Sequence, residues 1–124
     1  MKMKYLISAV AFLAFTSYAS AGGVPVKSAD GVLVGKKGMT LYTFDKDAAG
    51  SGKSVCNAQC AINWPPLKAS RYAKASGDYS IITRDDGTKQ WVFKGKPLYY
   101  WIKDKKPGDK TGDGVNGVWH IVKP

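Results

Sequence analysis

The chain has no glutamate: all nine acidic residues among its 124 are aspartate. That excludes a glutamate general base and the glutamate-terminated EF-hand calcium loop. Histidine occurs once, at His120, which excludes any centre built on two or more imidazoles, such as a zincin, a carbonic-anhydrase-type site or a blue-copper site. There is no C-x-x-C-H for covalent haem, no G-x-S-x-G elbow, and no Ser-His-Asp or Cys-His-Asn signature around the lone histidine. Long apolar runs are also scarce, with one at the N-terminus and no second. These absences weigh against most enzyme classes. The reading is a non-enzymatic chain with no cofactor and no catalytic residue.

The apolar run reads as an export signal. Lys2 and Lys4 form a basic n-region, residues 5–15 an apolar h-region, and Ala19-Ser20-Ala21 a small-residue cleavage site, with the cut after Ala21. The run is too short for a membrane span, which needs about 20 apolar residues. No cysteine follows it, so a lipobox acceptor is lacking. The expectation is a single periplasmic or secreted domain, residues 22–124. Nineteen Lys and Arg against nine Asp give +10, and losing Lys2 and Lys4 leaves +8 on the exported chain.

Exported space is oxidising, so Cys56 and Cys60, in C-N-A-Q-C, are expected to pair as a disulfide. The alternative is a metal or redox site in which the two thiolates and His120 hold soft Cu(I). The redox spacing C-x-x-C and its βαβ context are both missing.

Two stretches share one order of features. Asp30-Gly31 matches Asp86-Gly87, the basic turn 35–38 matches 94–96, Leu41-Tyr42-Thr43-Phe44 matches Leu98-Tyr99-Tyr100-Trp101, and Asp47 matches Asp104. Trp64 follows Tyr42 by 22 residues, and Trp119 follows Tyr99 by 20. The repeats span about 24–67 and 78–122. Asp-Gly supplies the positive φ of a tight hairpin, and the runs between turns are rich in β-branched and aromatic residues. Alternation puts Tyr42 and Phe44 on one strand face and Met39 and Leu41 on the other. Likewise Tyr99 and Trp101 oppose Leu98, Tyr100 and Ile102. Both faces carry apolar residues, which predicts central strands covered on both sides. One short helix is expected near residues 57–63, stopped by Trp64-Pro65-Pro66, and a further helical turn at 69–75. The fold class is all-β and mainly antiparallel, a compact sandwich or partly open barrel of two pseudo-repeats.

Tyr42-x-Phe44-x-x-Asp47 and Tyr99-x-Trp101-x-x-Asp104 both fit Y-x-(F/W/Y)-x-x-D. With C-N-A-Q-C-A-I-N-W-P-P-L and G-D-G-V-N-G-V-W-H-I-V, they resemble the bacterial secreted-repeat family of unknown function, described also as predicted lipoproteins with this motif. The resemblance implies export and a repeat architecture, and no established activity.

The six motif residues Tyr42, Phe44, Asp47, Tyr99, Trp101 and Asp104 are candidates for two roles. One is a structural unit of packed ring, satisfied hydroxyl and carboxylate-held loop. The other is a repeated ligand site, whose enzymatic variant pairs Asp47 with Asp104 as acid and base. The loop beginning Asp45-Lys46-Asp47 resembles the start of a calcium loop but lacks its later oxygen ligands. Lysines cluster between residues 94 and 110, interleaved with aromatics. The partners expected are an envelope protein or an anionic surface such as lipid headgroups, with no nucleic acid outside the cytoplasm.

Overall fold

A computed structural model describes residues 23–124; the signal segment and its cleavage site lie outside the described residues. The first repeat contributes β1 (Lys27–Ala29), β2 (Val32–Val34), β3 (Tyr42–Phe44), α1 (Gln59–Asn63) and β4 (Lys68–Ala69). The second contributes β5 (Tyr79–Thr83), β6 (Lys89–Phe93), β7 (Lys96–Pro97) and β8 (Trp119–Ile121). All strand pairs are antiparallel, in three small sheets: β1–β2, β3–β8, and β4–β6–β5 with β7 on β6. There is one short helix, beside the cysteine pair, and no closed barrel among the described residues.

The turn residues act as their chemistry requires. Asp30 and Gly31, at φ 51° and 81°, close a two-residue hairpin that sets Ala29 opposite Val32. Trp64-Pro65-Pro66 ends α1: Trp64 is its C-cap, and no proline can continue the helical hydrogen bonding. The expected helical turn at 69–75 is not formed. Ala69 pairs with Lys89 in the sheet, and Ala73 N–H closes a tight turn on Ser70 O at 3.1 Å. The alanine-rich composition favours helix, but pairing with β6 satisfies the backbone instead.

The two repeats exchange their last strands. β8, from the second repeat, pairs with β3 of the first, while β4, from the first, pairs with β6 of the second. The hydrogen bonds come in matched pairs across a pseudo-twofold axis. Tyr42 N–H donates to Tyr99 O at 2.8 Å and Tyr99 N–H returns to Tyr42 O at 3.0 Å. Leu33 N–H to Val122 O (2.8 Å) matches Trp91 N–H to Leu67 O (2.9 Å), and Asp45 N–H to Val118 O (2.8 Å) matches Ile102 N–H to Asn63 O (2.9 Å). Each repeat is therefore completed by a segment of the other.

Two apolar clusters lie on opposite faces of the central strands, as the alternation predicts. Leu33, Leu41, Leu67, Trp91, Leu98 and Val122 form one. Tyr42, Phe44, Cys56, Trp64, Tyr99 and Trp119 form the other. Burial of such aliphatic and aromatic side chains contributes about 1.5–3 kcal/mol each. Ile102 departs from the pattern: it is 47% exposed.

Candidate functional site

The strand exchange decides how the motif residues meet. Each tyrosine bonds to the aspartate of the other repeat. Tyr42 Oη donates to Asp104 Oδ2 at 2.6 Å, and Tyr99 Oη to Asp47 Oδ2 at 2.5 Å. The second carboxylate oxygen of each aspartate holds a loop: Asp47 Oδ1 accepts from Val55 N–H at 2.7 Å, and Asp104 Oδ1 from Thr111 N–H and Oγ1 at 3.0 and 2.7 Å. Both phenols, Asp47 and Asp104 are buried. Burial, then the facing carboxylate, holds both tyrosine pKa values well above the ordinary phenol range.

The two pairs differ behind the tyrosine. Tyr42 Oη accepts from the backbone N–H of Gly112 at 3.1 Å, where a side chain has no room: a Cβ there would stand 2.9 Å from both Trp64 and Tyr42. Tyr99 Oη lies 2.6 Å from Ser54 Oγ, which in turn accepts from Arg84 at 2.9 Å. Arg84 is 4% exposed, and its guanidinium also donates to Gln90 Oε1, the Cys56 carbonyl and Asn57 Oδ1. One ordered chain of donors thus runs from a buried guanidinium through two hydroxyls to the Asp47 carboxylate, which supplies its countercharge at a distance.

The motif aromatics complete a column of four rings. Trp101 stacks on Trp64 at 3.9 Å, Trp64 on Trp119 at 3.7 Å with planes 2° apart, and Trp119 on Phe44 at 4.2 Å. Tyr42 and Tyr99 meet the central indoles edge-on, at 5.5 and 5.2 Å. Ring quadrupoles favour offset or edge contacts, so burial of large rings holds the parallel stack, while the tyrosine edges add the favoured geometry. Cys56 and Cys60 are joined in a disulfide (Sγ–Sγ 2.03 Å), with Cys56 buried in this cluster and Cys60 lining a groove of about 450 Å³ along it with Phe44, Lys46, Asn63, Trp64 and Trp119.

The motif therefore brings together all six predicted residues, with its tyrosine–aspartate partners crossed between repeats. His120 lies elsewhere, on β8 opposite Thr43, with Nε2 2.8 Å from Asp45 Oδ2 at the surface. No group of three or more His, Cys or Asp side chains able to hold a metal occurs among the described residues. Sequence reasoning missed Arg84 and Ser54. The signal for Arg84 was present: alternation along β5 puts it on the same face as buried Ile82.

The family model described as a secreted repeat of unknown function matches residues 24–68 and again 80–123. The chain belongs to this family. No curated protein and no solved structure matches it. The two matched segments are the two interlocked repeats, and the secreted-repeat chain has no described helix long and apolar enough to cross a membrane. It is an exported protein.

Proposed function

We propose that this exported protein is a non-enzymatic binding protein of the cell envelope, whose duplicated motif builds a rigid scaffold and whose contacts are made by the surface around it. One observation carries this reading. The polar groups of both motifs are spent on each other: both phenols donate to carboxylates, and both carboxylates are filled by internal donors. A buried carboxylate whose two oxygens are both held by internal donors is poorly placed to exchange protons with a substrate. The surface, by contrast, is rich in lysine, which supports association with an anionic component of the envelope.

The test is retention of the purified exported chain on phosphatidylglycerol vesicles and on isolated envelope, against phosphatidylcholine vesicles, at low and high salt. Retention by the anionic surfaces that weakens as salt screens the lysines is expected. Failure to bind any envelope fraction overturns the reading. So does turnover of an envelope substrate that disappears in Asp47→Asn or Asp104→Asn while circular dichroism shows the fold retained. The narrower alternative of a copper or redox protein using Cys56, Cys60 and His120 requires a reduced cysteine pair. It is separated from the main reading by the mass and thiol content of the native protein, taken up below.

A further inference from the structure

We propose that the groove between the turn Lys36–Gly38 and the second motif strand binds one acyl chain carrying an anionic headgroup, taken up as a monomer. This rests on the reading of the protein as a binding module and names the ligand class of one site on it.

The groove has a volume of about 320 Å³ and is walled by Met39, Pro65, Tyr100, Trp101 and Ile102, with Lys36 and Lys37 at its rim. That volume is at the low end for ligand pockets, which suits a single chain and not a diacyl lipid. Most polar groups along the walls are already engaged, the Tyr100 O–H proton being the exception. Thr40 Oγ1 donates to Asp109 O at 2.6 Å, Tyr100 Oη accepts from Lys36 N–H at 2.9 Å, and Asp104 is filled as described. The exposed ammonium groups of Lys36 and Lys37 have no carboxylate within 4.0 Å among the described residues. The groove thus offers an apolar wall and two free positive charges, and the complement is an apolar body with an anionic end.

The other repeat provides an internal control. The paired hydrogen bonds set Ile102 equivalent to Asp45, and the strand registers set Tyr100 equivalent to Thr43 and Pro65 to His120. Counting from the motif tyrosines sets Met39 equivalent to Lys96. At that place Lys96 Nζ fills the space, donating to Phe44 O and Asp47 O at 2.7 Å each, and Asp45 pairs with His120 at 2.8 Å. The scaffold therefore accepts Lys, Thr, Asp and His at these four positions. The fold does not demand Met, Tyr, Ile and Pro there, and 47% of Ile102 faces water. An exposed apolar wall rimmed by charge marks an interaction site, and here the twin, polar and plugged, shows that the fold does not require it.

The test titrates the purified exported chain with laurate below its aggregation concentration, by calorimetry and by Trp101-sensitive fluorescence. Dodecyl maltoside and acetate serve as neutral-headed and tail-less controls. Saturable one-to-one binding of laurate is expected, with little binding of either control. Met39→Lys and Ile102→Asp install the residues of the twin, so the fold should persist, and each should weaken binding by about tenfold or more. Lys36→Glu with Lys37→Glu should weaken it by several-fold at low salt and less at high salt. Absence of saturation, or affinity unchanged in Met39→Lys and Ile102→Asp, overturns the proposal. So does loss of self-association in those variants with no laurate binding, which would make a second copy the occupant. Anionic vesicles holding wild type and Ile102→Asp alike, with no laurate bound, remove the groove and leave the envelope reading standing. Laurate bound with no envelope retention does the reverse.

Discussion

The two repeats share matched backbone hydrogen bonds along their central strands, yet the surroundings of their motifs have diverged. In one half Tyr99 is wired through Ser54 to a buried arginine; in the other Tyr42 leans on a bare backbone N–H. One half carries a disulfide where, matched through Val55 N–H on Asp47 and Thr111 N–H on Asp104, the other has Gly112 packed against three rings. One groove is plugged by Lys96 and its counterpart is open and apolar. The contrast separates what the fold requires from what it tolerates. Crossed tyrosine–aspartate pairs and stacked indoles are present in both halves and belong to the scaffold. What differs is not required by the fold.

The largest effect that would break this comparison is truncation of a central ring. Trp64→Ala and Trp119→Ala occupy equivalent places, both nearly fully buried, and each should cost about 3–5 kcal/mol in denaturant unfolding. Trp101→Ala, at the only partly buried end of the column, should cost less. A large inequality between the two central rings would mean the halves do not share the load.

Next come the crossed pairs. Tyr42→Phe leaves the Asp104 carboxylate and the Gly112 N–H short of a partner, and should cost about 1–3 kcal/mol. In double-mutant cycles Tyr42→Phe should couple to Asp104→Asn and add independently to Asp47→Asn. Coupling within a repeat instead of between repeats would contradict the exchange.

The disulfide should matter less. It closes a loop of sequence separation 4, so Cys56→Ser with Cys60→Ser should cost less than the ~3 kcal/mol of a 15-residue loop and leave a folded protein with a lower Tm. Native protein should be two hydrogens light by mass, with no titratable thiol. Free thiols with retained copper would favour the metal alternative.

The smallest effect at ordinary pH is the tyrosine linkage. Burial and the facing aspartates raise both phenol pKa values in the folded state, so their contribution is complete below the unfolded value of about 10. It is lost as pH climbs above that value, because only the unfolded chain then releases its protons. Stability should be flat through neutrality on this account and fall in alkali. Tyrosinate absorbance from these two residues should rise together with unfolding.

Much of the fold was legible in the residues. Asp-Gly turns, Leu-Tyr pairs facing opposite ways and the proline stop after α1 follow from local chemistry. The strand exchange was not. A six-residue Tyr-to-Asp motif reads the same whether its tyrosine reaches its own aspartate or its twin's, because spacing constrains the segment and not its partner. The alanines after Lys68 misled for a related reason: a two-residue pairing with a distant strand outweighed local propensity. Of the candidate site, the six motif residues were found and their crossed pairing was not. The contrast between Thr43 and Tyr100, or Asp45 and Ile102, was visible in the aligned repeats, but only the register places those contrasts around one groove.

Because neither repeat holds all the strands of its own sheet, a polypeptide containing one copy alone would lack the segments that cover its rings. Such a chain should gain order only by associating with a sibling. A symmetric homodimer of single modules, later fused end to end, is the simplest ancestry this topology permits. Fusion would then have released the two faces to specialise separately, something two identical subunits encoded by one short gene can never do.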